Sequence, residues 1–132
     1  MADDLILVTG AGGFIGGHLV AELRTTGHRV RAVDVKPFDE WYQCVPDADN
    51  RRLDLRNREA CTEAAAGARH IYNLACDMGG MGFIETHKAE CMLSVLINTH
   101  MLMAAQDAAC ARYFYSSSAC VYAADKQTRA DV

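Results

Sequence analysis

Residues 5–16 place the tightest constraint on how this chain can fold. Leu5-Ile6-Leu7-Val8 is a continuous apolar run of strand length that ends at Thr9-Gly10. A strand apolar at successive positions is buried on both faces, as in a parallel sheet. From Phe14 the period changes: Ile15, Leu19 and Leu23 recur every four residues until Gly27 offers a helix stop. Gly10, Gly13 and Gly16 lie at the junction in a GxxGxxG spacing. In a strand-turn-helix the first glycine permits the tight turn, the second lets a backbone approach a pyrophosphate, and the third lets helix and strand pack closely. The helix start, with Phe14 and Ile15, offers N–H groups to the anion. A plain glycine-rich turn would share the spacing, but the flanking strand and helix are those a dinucleotide site requires.

Arg29 to Val35 reads as a second strand, and one helix crossing over between two strands makes them parallel. Asp34 stands at its end, about 20 residues beyond the glycines, where a carboxylate accepts hydrogen bonds from both hydroxyls of an adenosine ribose. That choice selects NAD, since the same carboxylate repels a 2′-phosphate. Lys36 partly compensates, which keeps NADP a minor option, and a solvated strand-end carboxylate is the bland alternative.

The alternation continues. Lys36 to Asn50, with both prolines and the single tryptophan, shows no period and reads as a surface loop. Arg52-Leu53-Asp54-Leu55 suggests a third strand, Asn57 caps a helix through Ala66, and Arg69 to Ala75 gives a fourth strand. Thr86 to Cys110 is a long helix, apolar on several sides, which implies a second surface to be buried. Arg112 to Ser116 is a fifth strand. The expectation is one α/β domain over residues 1–132, a doubly wound parallel Rossmann sheet of order 3-2-1-4-5, truncated after the fifth strand and without its substrate domain.

Bulk properties exclude several classes. A length of 132 residues fits a single domain, and 51% hydrophobic with 23% charged residues is a globular composition. A net charge of −4 with scattered Lys and Arg leaves no basic stripe for nucleic acid. The start of the chain lacks signal-peptide character, and no segment reaches membrane-spanning length, so a cytoplasmic protein with no membrane partner is expected. The six cysteines lie far apart with no zinc-like spacing, so no metal is expected, and five of them read as reduced small hydrophobes.

The segment Val8-Thr9-Gly10-Ala11-Gly12-Gly13-Phe14-Ile15-Gly16 resembles the cofactor loop of the extended short-chain dehydrogenase/reductase superfamily, which uses GxxGxxG where other Rossmann enzymes use GxGxxG. Asp54-Leu55-Arg56 resembles its adenine-contacting segment, Asn73-Leu74-Ala75 the strand end beside the cofactor, and Ser116-Ser117-Ser118 the strand carrying its active-site serine. The resemblance covers nearly the whole chain. It implies NAD contacts from Gly10, Gly13, Phe14, Ile15, Gly16, Asp34, Asp54, Leu55, Leu74, Ala75 and Ser116.

Asp77-Met78-Gly79-Gly80-Met81-Gly82-Phe83-Ile84 further resembles a signature that lines the sugar site of GDP-mannose 3,5-epimerases. A glycine-rich turn past a parallel strand's carboxyl end is where ligands bind, although a turn without a ligand is also common. Ser118-Ala119-Cys120 resembles the segment in which those epimerases place a cysteine acid/base. The resemblance implies a GDP-sugar substrate contacted by Gly79, Gly80, Ser118, Ala119 and Cys120. It also implies a redox cycle: hydride leaves C4 of the sugar for NAD, the C4 ketone acidifies the C3 and C5 hydrogens, and hydride returns after proton exchange. Ser118 would bond the C4 oxygen, and Cys120, with a reference pKa of about 8.5, would shuttle a proton on one face. A buried structural thiol is the alternative for Cys120.

The superfamily's Tyr-x-x-x-Lys pair is expected downstream of Ser118. Tyr122-Ala123-Ala124-Asp125-Lys126 has that spacing but is rejected, because Tyr122 follows Ser118 by only four residues and the two could not converge on one oxygen. The chain is thus expected to be an inactive fragment of a longer enzyme, with strand five leaving an edge unpaired. The long helix from Thr86 resembles the one by which the superfamily forms two-fold dimers, implying a homodimer at full length. Asn98 in that helix reads either as shaping the active site or as an ordinary polar helix residue. The competing functions are a nucleotide-sugar 4-epimerase or dehydratase, and a non-catalytic NAD-binding module.

Overall fold

The computed structural model describes residues 4–76 and 88–116. Five strands, β1 (Leu5–Thr9), β2 (Arg29–Asp34), β3 (Asp49–Arg52), β4 (Ala68–Asn73) and β5 (Arg112–Tyr115), pair in the order β3-β2-β1-β4-β5. Every pairing is parallel. The doubly wound α/β sheet expected from the alternation is therefore what forms. Helix α1 (Phe14–Thr25) joins β1 to β2, α2 (Arg58–Ala65) joins β3 to β4, and α3 (Lys88–Asp107) precedes β5.

Burial divides along the two sheet faces. Ile6, Val8, Val30 and Ala32 pack with Val20 of α1 and with Trp41. Leu7, Val33 and Ile71 point the other way, against Cys61, Ala64 and Ala65 of α2 and Ile97, Met101, Ala104 and Ala105 of α3. β1 is buried at all five positions, as its unbroken apolar run requires.

Several boundaries differ from the sequence expectation. β2 ends at Asp34, leaving Val35 half exposed. β3 lies three residues upstream of Arg52–Leu55: the polar stretch Asp49–Arg52 pairs with β2, and Leu55 reaches the core from the turn that follows. An edge strand needs no apolar alternation, so pattern pointed to the wrong segment. β4 is Ala68–Asn73 rather than Arg69–Ala75, β5 ends at Tyr115, and the described part of the long helix ends at Asp107. Asn57 holds the N-cap position of α2 without a capping side-chain bond. The loop from Lys36 contains a 3₁₀ turn at Phe38–Glu40, and its Trp41 is buried rather than superficial.

On α1 the buried positions are Gly16, Gly17 and Val20, with Ile15 exposed. The glycines bring the helix so near the β1 exit that its smallest residues, not Ile15, face inward. On α3 the side chains of Met92, Val95, Leu96, Leu102 and Met103 are exposed, opposite the stripe that meets the sheet. This is the second apolar surface anticipated for that helix.

Candidate functional site

A cleft of about 520 Å³ opens at the carboxyl ends of β1, β2 and β4, lined by Gly10, Gly13, Asp34, Val35, Lys36, Leu53, Asp54, Leu55, Arg56, Leu74, Ala75, Cys76 and Ile97. Gly10 makes the turn out of β1 with φ +68°, the left-handed region, and an added Cβ would lie 2.7 Å from the carbonyl carbon of Leu74. Only glycine lets the exits of β1 and β4 approach this closely. At Gly16 a Cβ would collide with the Gly10 carbonyl oxygen, so the start of α1 is packed directly on the turn.

Gly13 occupies the N-cap position of α1 and provides no side-chain cap. The first-turn amides of Phe14, Ile15 and Gly16 thus lack the intrahelical acceptors found further along a helix, and they carry the positive end of its dipole. A Cβ at Gly13 would meet only the Gly10 oxygen, at 3.4 Å, so the protein leaves this side of the turn open toward the cleft.

Asp34 forms the other end of the site. Its Oδ2 accepts the Gly12 amide at 2.9 Å and its Oδ1 accepts the Lys36 amide at 3.1 Å. The carboxylate is only 9% exposed and is held in one orientation from both sides, with lone pairs left over for a ligand. Trp41 braces this arrangement: its Nε1 donates to the Lys36 carbonyl, and a Cβ on Gly12 would lie 2.8 Å from its ring. The Tyr42 amide also donates to the Gly12 carbonyl.

Asp54 and Arg56 form a forked ion pair at 2.7 Å on a third wall. The Arg56 guanidinium holds the Asp54 carboxyl below its usual range. Thr9 secures the β4 side: its Oγ1 accepts the amides of Leu74 and Ala75, each at 3.1 Å.

Of the residues expected to contact the cofactor, the structure gathers Gly10, Gly13, Asp34, Asp54, Leu55, Leu74 and Ala75 around one cleft. Phe14 and Ile15, in the first turn of α1 next to Gly13, are not among the lining residues; their side chains are exposed and the Phe14 ring rests on His18 and Tyr42. Gly16 lies beneath the turn, and Ser116 is exposed just past β5, outside the lining. Gly79, Gly80, Ser118, Ala119, Cys120 and the Tyr122–Lys126 segment lie outside the described residues. Sequence reasoning missed Val35, Leu53, Cys76, Ile97 and the bracing Trp41. The only signal for Trp41 was a lone tryptophan in a polar loop, which is little reason to expect burial. Among the described residues no group of His, Cys, Asp or Glu could hold a metal ion, and no helix is long and apolar enough to cross a membrane.

An amide-rich end suited to a diphosphate and a fixed carboxylate suited to ribose hydroxyls share one elongated cleft, so these residues fit NAD. The profile of the NAD dependent epimerase/dehydratase family matches residues 6–132. The chain belongs to that family. Its cofactor is NAD, and the short-chain dehydrogenase/reductase resemblance of the glycine loop agrees with the match. GDP-mannose 3,5-epimerase 1 of Oryza sativa subsp. japonica is 39% identical over 128 residues, covering 96% of this chain and 34% of its own length. GDP-mannose 3,5-epimerase of Arabidopsis thaliana is 40% identical over 123 residues, covering 92% of this chain and 33% of its own. The chain thus spans about a third of the length of these relatives. Among solved structures, MoeE5 in complex with UDP-glucose and NAD superposes with a TM-score of 0.74 at 31% identity, over 89% of this chain and 38% of that one.

Proposed function

We propose that residues 1–132 are the incomplete nucleotide-binding domain of a longer cytoplasmic enzyme, an NAD-dependent epimerase that acts on a GDP-sugar in the manner of a GDP-mannose 3,5-epimerase. The observation that carries this reading is the cleft in which Asp34 and the uncapped start of α1 face one elongated space. The likeness to two plant GDP-mannose 3,5-epimerases supports the choice of substrate class. The amides of Phe14, Ile15 and Gly16 would receive the diphosphate, with Gly13 leaving it room to approach, and Asp34 would receive the ribose. Asp54 and Leu55 would meet the adenine, and Leu74, Ala75 and Ser116 the remainder.

Bound NAD supplies a hydride acceptor and donor for C4 of the sugar. Ser118 would hydrogen-bond the C4 oxygen, and Gly79, Gly80 and Ala119 would contact the sugar. With C4 as a ketone the neighbouring C–H bonds would become acidic, and Cys120 would act at C3 or C5 on one face, as thiolate when it removes a proton and as thiol when it returns one, with a second acid/base on the opposite face. A Tyr-x-x-x-Lys pair of the kind this superfamily uses would take the proton of the C4 hydroxyl. The thiols of Cys44, Cys61 and Cys110 suit a reducing compartment. The exposed stripe Met92, Val95, Leu96, Leu102 and Met103 on α3 supports a two-fold homodimer of the full-length enzyme.

The test is solvent exchange. The full-length enzyme, incubated with NAD and GDP-mannose in deuterium oxide, should incorporate deuterium at C3 or C5. Cys120→Ser should abolish incorporation yet keep NAD affinity. Exchange that proceeds unchanged in the variant removes Cys120 from the mechanism, and labelling at neither carbon removes the 3,5-epimerase reading.

A further inference from the structure

Four side chains from four elements meet behind the cleft wall, and their hydrogen-bond directions are mutually determined. The Thr9 oxygen accepts the amides of Leu74 and Ala75, which uses both of its lone pairs. Its own hydrogen therefore goes to Asn73 Oδ1, 2.6 Å away. That contact turns the Asn73 amide nitrogen the other way, where it donates to Asn98 Oδ1 and to the Tyr113 hydroxyl, each at 2.9 Å. The Tyr113 hydroxyl closes the ring by donating to Asn98 Oδ1 at 2.9 Å. Asn98 Oδ1 thereby has both lone pairs occupied, and the Asn73 amide has no alternative orientation that keeps these bonds.

The outputs of this ring are parts of the cofactor site. Leu74 and Ala75 line the cleft, Thr9 precedes the turning glycine Gly10, and Ile97 beside Asn98 also lines it. Tyr113 lies on the strand that leads to Ser116. Burial pushes its phenol up to about 12, so it stays protonated and remains a donor at any physiological pH.

We infer that Tyr113 is a positioning residue for the cofactor cleft, acting through Asn98 and Asn73 to aim Thr9 at the Leu74 and Ala75 amides. Without the phenol oxygen, Asn73 loses one acceptor and Asn98 one donor. The Asn73 amide is then held only by Asn98 and the Thr9 hydroxyl, and Thr9 is less firmly aimed at β4. The position of the β4 exit relative to Gly10 becomes less defined, although the hydrophobic core is untouched.

This inference rests on the reading that the cleft holds NAD, so the test uses two independent readouts on the chain and its Tyr113→Phe variant. The first is NAD affinity by calorimetry, well below the unfolding temperature. The second is hydrogen exchange of the Leu74 and Ala75 amides by NMR, without ligand. The expected result is NAD binding weakened about five- to tenfold, the worth of one buried hydrogen bond. Exchange at Leu74 and Ala75 should accelerate while exchange in β2 stays as it was. Thr9→Ser, which keeps the hydroxyl, should bind as the parent does, whereas Thr9→Val should match or exceed the loss in Tyr113→Phe. A variant that lowers only the melting temperature, with NAD affinity and both amides unchanged, overturns the positioning role. If the parent chain binds no NAD the functional reading fails, and the amide exchange alone then decides for or against the ring.

Discussion

Asp34 Oδ2 accepts the amide hydrogen of Gly12 at 2.9 Å, so the residue expected to grip the cofactor also fixes the glycine turn that leads into α1. Its second oxygen accepts the Lys36 amide. Asp34→Asn keeps the shape but replaces one acceptor by an NH₂ group, leaving one of these two amides facing a donor. The expected cost is about 1–3 kcal/mol of stability, together with weaker NAD binding. Urea unfolding with and without NAD measures both; an unchanged midpoint would mean the two amide contacts contribute nothing.

Arg31 is a buried cation that serves a helix from outside. From β2 its guanidinium donates to the carbonyls of Ala64 at 2.7 Å and Ala66 at 2.8 Å, at the end of α2, and it pairs with Asp49 of β3 at 3.2 Å. Arg31→Leu strands those carbonyls, at an expected cost of about 2–3 kcal/mol. Arg31→Lys should recover only part of this, because a single ammonium cannot reproduce the fork. Equal stability of the lysine variant and the parent, by urea midpoint, would show that the planar geometry is unimportant.

Alkaline pH should destabilise the fold in two stages. Burial pushes the Cys61 thiol from 9.0 up to about 11, and the Tyr113 phenol from 10.0 up to about 12. A raised folded pKa means that stability is whole below the unfolded value and is lost as pH climbs through the folded one. The decline should therefore begin near pH 9 with Cys61 and continue to near pH 12 with Tyr113. In Cys61→Ala the onset should move up toward pH 10, where Tyr113 alone begins to contribute. Melting temperatures recorded across this range decide it, and an identical onset in the variant excludes Cys61 as the cause. At about pH 8 a thiol reagent should modify exposed Cys44 well before Cys61.

The parts of this molecule written in local pattern were legible from sequence. The apolar run Leu5–Val8, the glycine spacing and the shift to helical period specified the βαβ unit. The alternation of elements then specified the sheet order β3-β2-β1-β4-β5. The place of Asp34 on the cleft was legible because it follows from the end of one strand. What escaped was set by partners distant in the chain. Asp49–Arg52 is a strand because β2 presents a free edge to it, not because its residues alternate. Trp41 is buried because Gly12, far upstream, has no side chain to exclude it. The ring joining Thr9, Asn73, Asn98 and Tyr113 spans four elements, and at each position a lone polar residue gave no sign of the others.

If the cleft beside Gly10, Gly13 and Asp34 takes NAD, calorimetric titration of the chain with NAD and, separately, with NADP reveals it. The prediction is saturable one-to-one binding of NAD, and binding of NADP at least about tenfold weaker, because the Asp34 carboxylate opposes a 2′-phosphate. No saturable binding of NAD, or a preference for NADP, would contradict it.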